Sequence, residues 1–107
     1  MISNNIKNSL SNDWDSQHTK EKISDSIEDL KIQQNRLENI FRKMQKYNEK
    51  LFDRCVSSQM TEDFTRAKMY ANECVKVRKI AALVLKSQLF LEVISTRLEI
   101  IREFGSE

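Results

Sequence analysis

Turn-forming residues are almost absent from this sequence. Its 107 residues include one glycine, Gly105, and no proline. Because Gly and Pro supply most tight turns and interrupt helices, a chain without them has little material for sheet connections or phosphate-binding loops. The remaining composition, 32% charged and 39% hydrophobic, is typical of long helices. We therefore expect an all-α protein.

Catalytic and metal-binding side chains are equally scarce. There is one histidine, His18, and the two cysteines, Cys55 and Cys74, lack CxxC spacing. These residues do not make a zinc site, and a rod of long helices offers no pocket for catalysis. No apolar run approaches 18 residues, and no signal peptide is recognisable. The sequence predicts a cytoplasmic protein that is not an enzyme and has no metal or cofactor.

A heptad pattern begins at Ile23 and continues to Cys55. Its apolar residues follow steps of four and three, which is the seam of a coiled coil, and only Gln34 and Asn48 interrupt it. We expect a first helix over about residues 19–57. Three further residues beside the seam are expected to widen its buried face: Ile40, Tyr47 and Phe52.

Helix propensity falls at residues 57–63, where Thr61 precedes two acids as an N-cap would. We expect a turn at about 58–61 and a second helix over about 62–104. So short a turn makes the helices antiparallel neighbours, and residues 19–107 should form one elongated, coiled-coil-like hairpin. Its predicted core is Leu30, Leu37, Phe41, Met44, Leu51, Tyr70, Cys74, Val77, Val84 and Leu91.

The second helix carries more apolar residues than one neighbour can cover. Between residues 80 and 94 the only charges are Lys86 and Glu92, so most of its circumference is apolar. One stripe has no partner within the hairpin, and we expect it to form a polymer interface: Ile80, Leu83, Phe90, Ile94 and Ile101.

Two segments are candidates for membrane contact. Residues 1–18 are rich in Asn and Ser and favour a flexible tail, but the four-residue spacing of Ile2, Ile6, Leu10 and Trp14 is also that of a helix that folds at a bilayer interface. Between residues 36 and 86, twelve Lys/Arg stand against six Asp/Glu. The basic residues expected to face an anionic membrane are Arg42, Lys43, Lys46, Lys50, Arg54, Arg66, Lys68, Arg78 and Lys79.

Residues 66–99 carry a family resemblance. The motifs are Arg66-Ala67-x-x-Tyr70-Ala71-Asn72-Glu73, Arg78-Lys79, Leu85-x-Ser87-Gln88-Leu89-x-Leu91-Glu92 and Arg97-Leu98-Glu99. This pattern resembles the second core helix of the archaeal ESCRT-III homologues, the CdvB family. The upstream helix and short turn match the family's order, so the resemblance covers about residues 19–107.

The resemblance implies a subunit that polymerises with itself and with related ESCRT-III-like subunits on membranes, and remodels and cuts them during archaeal cell division. Its location would be peripheral, at the membrane or division site. The family also implies disassembly by an AAA ATPase through a C-terminal region that this chain lacks, so ATPase binding is not expected of the residues present.

Two other interpretations stay open from the residues alone. A coiled-coil hairpin could pair into a four-helix dimer without any membrane role. The basic middle could instead serve a nucleic-acid-binding helical arm, but its few aromatic residues lie mostly on buried stripes, so no nucleic-acid partner is expected.

Overall fold

The chain folds into two long antiparallel helices. The computed structural model describes the backbone of residues 2–105 and the side chains of residues 16–105. Helix α1 spans Ile2–Met60 and helix α2 spans Phe64–Phe104. The molecule measures 89 × 18 × 15 Å. The predicted all-α, elongated hairpin is confirmed.

Both predicted helix boundaries of α1 differ from those observed. The helix begins at Ile2 rather than near residue 19, and it continues to Met60 rather than ending near residue 57. Once a long helix exists, each added residue only propagates it and avoids the cost of nucleation, so even an Asn- and Ser-rich segment can extend it. The side chains of Ile2, Ile6, Leu10 and Trp14 lie outside the described residues.

The turn occupies residues 61–63, later than the expected 58–61, and it is built from backbone hydrogen bonds. The Asp63 N–H donates to the Ser58 carbonyl over 2.8 Å, and the Glu62 N–H donates to the Gln59 carbonyl over 3.1 Å. This is the paired pattern of a Schellman motif, which requires a left-handed residue after the helix. Glu62 occupies that position with φ 62°.

Asp63, not the expected Thr61, caps α2. The Asp63 carboxylate accepts a hydrogen bond from the Arg66 N–H over 3.2 Å. The Thr61 hydroxyl instead donates to α1, where the carbonyls of Ser57 and Ser58 lie 3.1 and 3.2 Å away. The sequence offered two N-cap candidates, the Thr61 hydroxyl and the Asp63 carboxylate, and the prediction chose the wrong one. The Schellman hydrogen bonds keep Thr61 at the end of α1, so Asp63 is the residue that caps α2.

The seam between the helices is narrow and lined by small residues. On α2 its buried positions are Ala67, Cys74, Ala81 and Ser95, while Ile27, Leu51 and Ser58 are buried on α1. No side chain of residues 16–105 is fully buried. Of the predicted core, Leu51 and Cys74 are buried and the rest are partly buried: Leu30, Leu37, Phe41, Met44, Tyr70, Val77, Val84 and Leu91.

Polar groups set the register of the seam. The Gln34 Nε2 donates to the Ser95 Oγ over 3.0 Å, although Ser95 is only 4% exposed. Nearer the turn, the Cys55 thiol donates to the Ala67 carbonyl over 3.3 Å. The amide Oδ1 of Asn48 is buried without a hydrogen-bond partner among the described residues. Because a displaced seam would break the Gln34–Ser95 bond, the hairpin has one favoured alignment.

The turn geometry makes a prediction about stability. Asp63→Ala removes the carboxylate that caps α2, so we expect it to lower the free energy of unfolding by about 0.5–2 kcal/mol. Urea unfolding followed by circular dichroism measures this change. Glu62→Gly, one residue earlier, should act in the opposite direction because glycine adopts the left-handed conformation without strain. Equal midpoints for all three proteins would contradict the described turn.

Candidate functional site

The seam divides the surface of the hairpin into two flanks. On one side of it, a groove of about 360 Å³ is lined by Ile40, Lys43, Met44, Tyr47, Val77 and Ile80. We call this the groove flank. On the other side, Arg78 lines two grooves, one with Leu85 and Ala82 and one with Phe52, Glu49 and Asp53. We call this the Phe52 flank.

Apolar side chains remain in contact with solvent on the groove flank. Leu83 is 63% exposed and Phe90 is 65% exposed, and Ile80 and Ile101 are exposed as well. Ile94, the fifth residue of the predicted polymer interface, is partly buried. Four of the five predicted residues are therefore accessible to a neighbouring molecule.

The groove flank also includes two residues of α1 that the sequence predicted to lie beside the seam and widen its buried face. Tyr47 is 54% exposed, and Ile40 is exposed beside it. The expectation that these residues widen the buried face is wrong, because α2 covers only the a/d stripe of α1 and its seam residues are too small to reach further. The sequence showed that Ile40 and Tyr47 lie next to the seam, but it did not show how much of the α1 surface α2 would cover.

The Phe52 flank is a second apolar surface that the sequence did not separate from the first. Phe52, also expected to be buried, is 52% exposed, and Leu85 and Leu89 of α2 are exposed. A groove of about 330 Å³ leads from this flank toward Phe41 and Met44. The signal for it was present in the sequence, since the apolar arc of residues 80–94 is too wide for one stripe.

The predicted basic residues are all exposed, but they do not form one surface. Lys43, Lys46, Lys50 and Arg54 follow one another at helical spacing along α1, and Arg66 begins α2 close to the turn. We call the four residues on α1 the basic ridge. By contrast, Arg78 lies on the Phe52 flank. By helical spacing Lys79 points away from α1, and Arg42 and Lys68 lie on the Phe52 side of their helices.

The basic ridge takes part in no ion pair among residues 16–105. The ion pairs of residues 16–105 involve other cations: Lys31 with Glu99, Arg42 with Glu38, Arg66 with Asp63, Lys76 with Glu73 and Arg102 with Glu103. Glu49 and Asp53, beside Phe52, take part in none of these pairs. Exposed charges interact with neighbours within about 10 Å, so Glu49 and Asp53, each three positions from a ridge lysine, partly offset the ridge's positive charge.

The described residues contain no cluster of three metal-ligating side chains. Within the same part of the chain, no helix is long and apolar enough to cross a membrane. The surface of the described residues is characterised by apolar flanks, a basic ridge and acids without an ion-pair partner.

Two relatives from Sulfolobus acidocaldarius match this chain. Cell division protein B1 is 46% identical over 70 residues, which are 65% of this chain and 33% of the relative. Cell division protein B is 29% identical over 86 residues, which are 80% of this chain and 33% of the relative. The chain thus spans about a third of the length of each. No family model matches it, and no solved structure does.

Two adjacent alanines test which face of α2 is buried. Ala81 is buried in the seam and Ala82 is exposed next to it. Ala81→Asp places an unpaired charge in the seam and should lower the free energy of unfolding by about 3–5 kcal/mol. Ala82→Asp, the matched control, should change it by less than about 1 kcal/mol. Thermal unfolding of dilute protein, followed by circular dichroism, measures both. Equal losses would show that the described seam is wrong.

Proposed function

We propose that this chain, which is similar to cell division proteins B1 and B, is a CdvB-type, ESCRT-III-like subunit that acts in cell division, polymerises on membranes and remodels them. The names of both relatives support the role in cell division. Polymerisation and membrane binding are supported by the surface of the hairpin. The observation that carries the proposal is the exposure of large apolar residues on both flanks.

The apolar flanks favour assembly because their solvent contact is unfavourable. Full burial of a large apolar side chain contributes roughly 1.5–3 kcal/mol, and a side chain that is already partly covered contributes in proportion to the area it still exposes. Leu83, Phe90 and Ile101 lie on the groove flank, and Leu85 and Leu89 lie on the Phe52 flank. A subunit with apolar surfaces on opposite sides can contact two neighbours at once, which is what a chain of subunits requires.

The basic ridge favours an anionic membrane as the second partner. Lys46 points away from α2, and Lys50 lies one turn further on. Each Lys or Arg close to an anionic leaflet contributes roughly 1 kcal/mol of binding energy, and a polymer multiplies that number by its subunits. We place the protein peripherally at the membrane or division site, with no catalytic role of its own. Related subunits and an AAA ATPase are proposed as partners of the whole protein.

Negative-stain electron microscopy tests the polymer. The wild-type protein should form filaments or coat anionic liposomes, and Leu83→Asp with Phe90→Asp should abolish this while its helical circular dichroism is retained. Lys86→Glu, on the outer face of the same helix, is the control and should assemble normally. Small discrete particles from the wild-type protein would favour a closed four-helix dimer instead.

Liposome co-sedimentation tests the membrane contact. Lys46→Glu with Lys50→Glu should weaken binding to anionic vesicles at least about tenfold, because each reversal loses an attraction and adds a repulsion. Binding of the wild-type protein should also fall as salt is added. A matched double reversal away from the ridge, Lys22→Glu with Lys86→Glu, should bind more tightly than the ridge variant. Equal sedimentation of the two variants would remove the ridge from the membrane contact.

A further inference from the structure

Large apolar side chains are exposed around the turn of the hairpin. Met60, the last residue of α1, is 80% exposed, and Phe64, the first residue of α2, is 65% exposed. Phe52 and Val56 precede Met60 on α1 at four-residue spacing and are exposed as well. We call these four residues the tip patch. Apolar side chains that remain together in water at one end of a molecule mark a surface for interaction.

The tip patch passes from the Phe52 flank to the outward side of α1. Each four-residue step turns the side chain by about 40° around the helix, so Met60 lies about 80° further round than Phe52. Met60 also follows Lys46 by fourteen residues, close to four whole turns, and both therefore point away from α2. Phe64 precedes Arg78 by the same interval and lies on the Phe52 side of α2. The patch therefore continues the side of α1 that carries Lys46 to the end of the rod.

The backbone donors of the turn are hydrogen-bonded within the chain. The N–H groups of Thr61, Glu62 and Asp63 donate to carbonyls of the last turn of α1 over 3.1, 3.1 and 2.8 Å. The Thr61 hydroxyl donates to two of the same carbonyls. The Asp63 Oδ2 lies 3.3 Å from the Arg66 Nε in an ion pair. Because an unpaired polar group is costly to remove from water, these bonds reduce the penalty for moving the turn into a less polar medium.

Net charge differs between the two halves of the rod. We call residues 36–86, which include the turn, the turn half, and residues 16–35 with 87–105 the distal half. The turn half has twelve Lys/Arg and six Asp/Glu, whereas the distal half has five Lys/Arg and seven Asp/Glu. An anionic surface therefore attracts the turn half and repels the distal half. Close to the turn, residues 50–68 have four Lys/Arg and three Asp/Glu, so the attraction comes from the turn half as a whole.

We propose that the tip patch inserts into an anionic bilayer at the boundary between headgroups and acyl chains, with the rod inclined so that its turn end faces the membrane. This inference rests on the proposed function, because it names the part of the hairpin that enters the bilayer contacted by the basic ridge. Apolar side chains bind at this boundary more tightly when nearby basic residues attract anionic lipids. Insertion at one end leaves the α2 stripe accessible to neighbouring subunits.

Tryptophan fluorescence tests the insertion. The single tryptophan, Trp14, is first replaced by Phe, and Phe64→Trp then reports from the tip patch. With anionic vesicles whose acyl chains carry bromine, its emission should move to shorter wavelength and be quenched, because bromine quenches only at short range and lies below the headgroups. Phe90→Trp in the same background is the matched control, since Phe90 is equally exposed, at 65%, but lies in the distal half. Its emission should be quenched far less.

Neutral substitutions measure how much the tip patch contributes to binding. Met60→Gln with Phe64→Gln removes apolar surface without adding charge, and it should weaken co-sedimentation with anionic vesicles at least about tenfold. The matched control, Ile32→Gln with Phe104→Gln, removes exposed apolar surface from the distal half and should bind like the wild type. Neither pair changes a charge, so a difference between them does not come from the basic ridge. Circular dichroism checks that every variant is helical.

The outcomes separate the inference from the proposed function. If the wild-type protein sediments with anionic vesicles but bromine does not quench the Phe64→Trp variant, the inference is overturned while membrane binding stands. A shift to shorter wavelength without quenching means that a neighbouring subunit covers the tip patch, which also overturns the inference. Equal binding by the two Gln pairs overturns it as well. A wild-type protein that does not bind anionic vesicles at any salt concentration overturns the membrane contact and the inference together.

Discussion

The structure depends on one mismatch: α2 carries more apolar surface than α1 can cover. The seam uses small residues, Ala67, Cys74, Ala81 and Ser95, so the helices pack along a narrow stripe. Large residues are left in solvent on either side of it, such as Leu83 on the groove flank and Leu89 on the Phe52 flank. Among residues 2–105 the structure shows only α1 and α2, so no third element lies against these side chains in the described part of the chain. Solubility and stability are therefore coupled to whatever covers the flanks, and the hairpin is better suited to assembly than to isolation.

Charge is distributed over both flanks and over the outward face of α1. The Phe52 flank carries Glu49 and Asp53, but Arg78 lines the same groove. Apolar flanks by themselves would allow copies to associate in many arrangements, because hydrophobic contact is not directional. Lys46, which points away from α2, is exposed and takes part in no ion pair among residues 16–105.

Much of this architecture could be predicted from the sequence. The lack of Pro, the single Gly near the end of α2 and the heptad of α1 predicted the hairpin, and the excess apolar arc of α2 predicted four accessible stripe residues. The exposure of Ile40, Tyr47 and Phe52 could not be predicted, because it depends on how far the small residues of the partner helix reach. Nor could the cap at Asp63, since the choice between it and Thr61 is made by backbone hydrogen bonds across the turn. Which flank a basic residue lies on could not be predicted either, because it depends on how α1 and α2 are rotated against each other at the seam.

The three-residue turn has a consequence for how such a protein can change over time. Because Glu62 and Asp63 join the two helices without slack, α2 has a fixed rotational phase relative to α1. Inserting or deleting one residue there would rotate α2 by about 100°, so its small residues would leave the seam and the two flanks would exchange parts of their surfaces. Single substitutions along the helices each affect only their own surroundings and can accumulate one at a time. A change in the length of the turn would alter every contact between α1 and α2, so that length is under much stronger constraint.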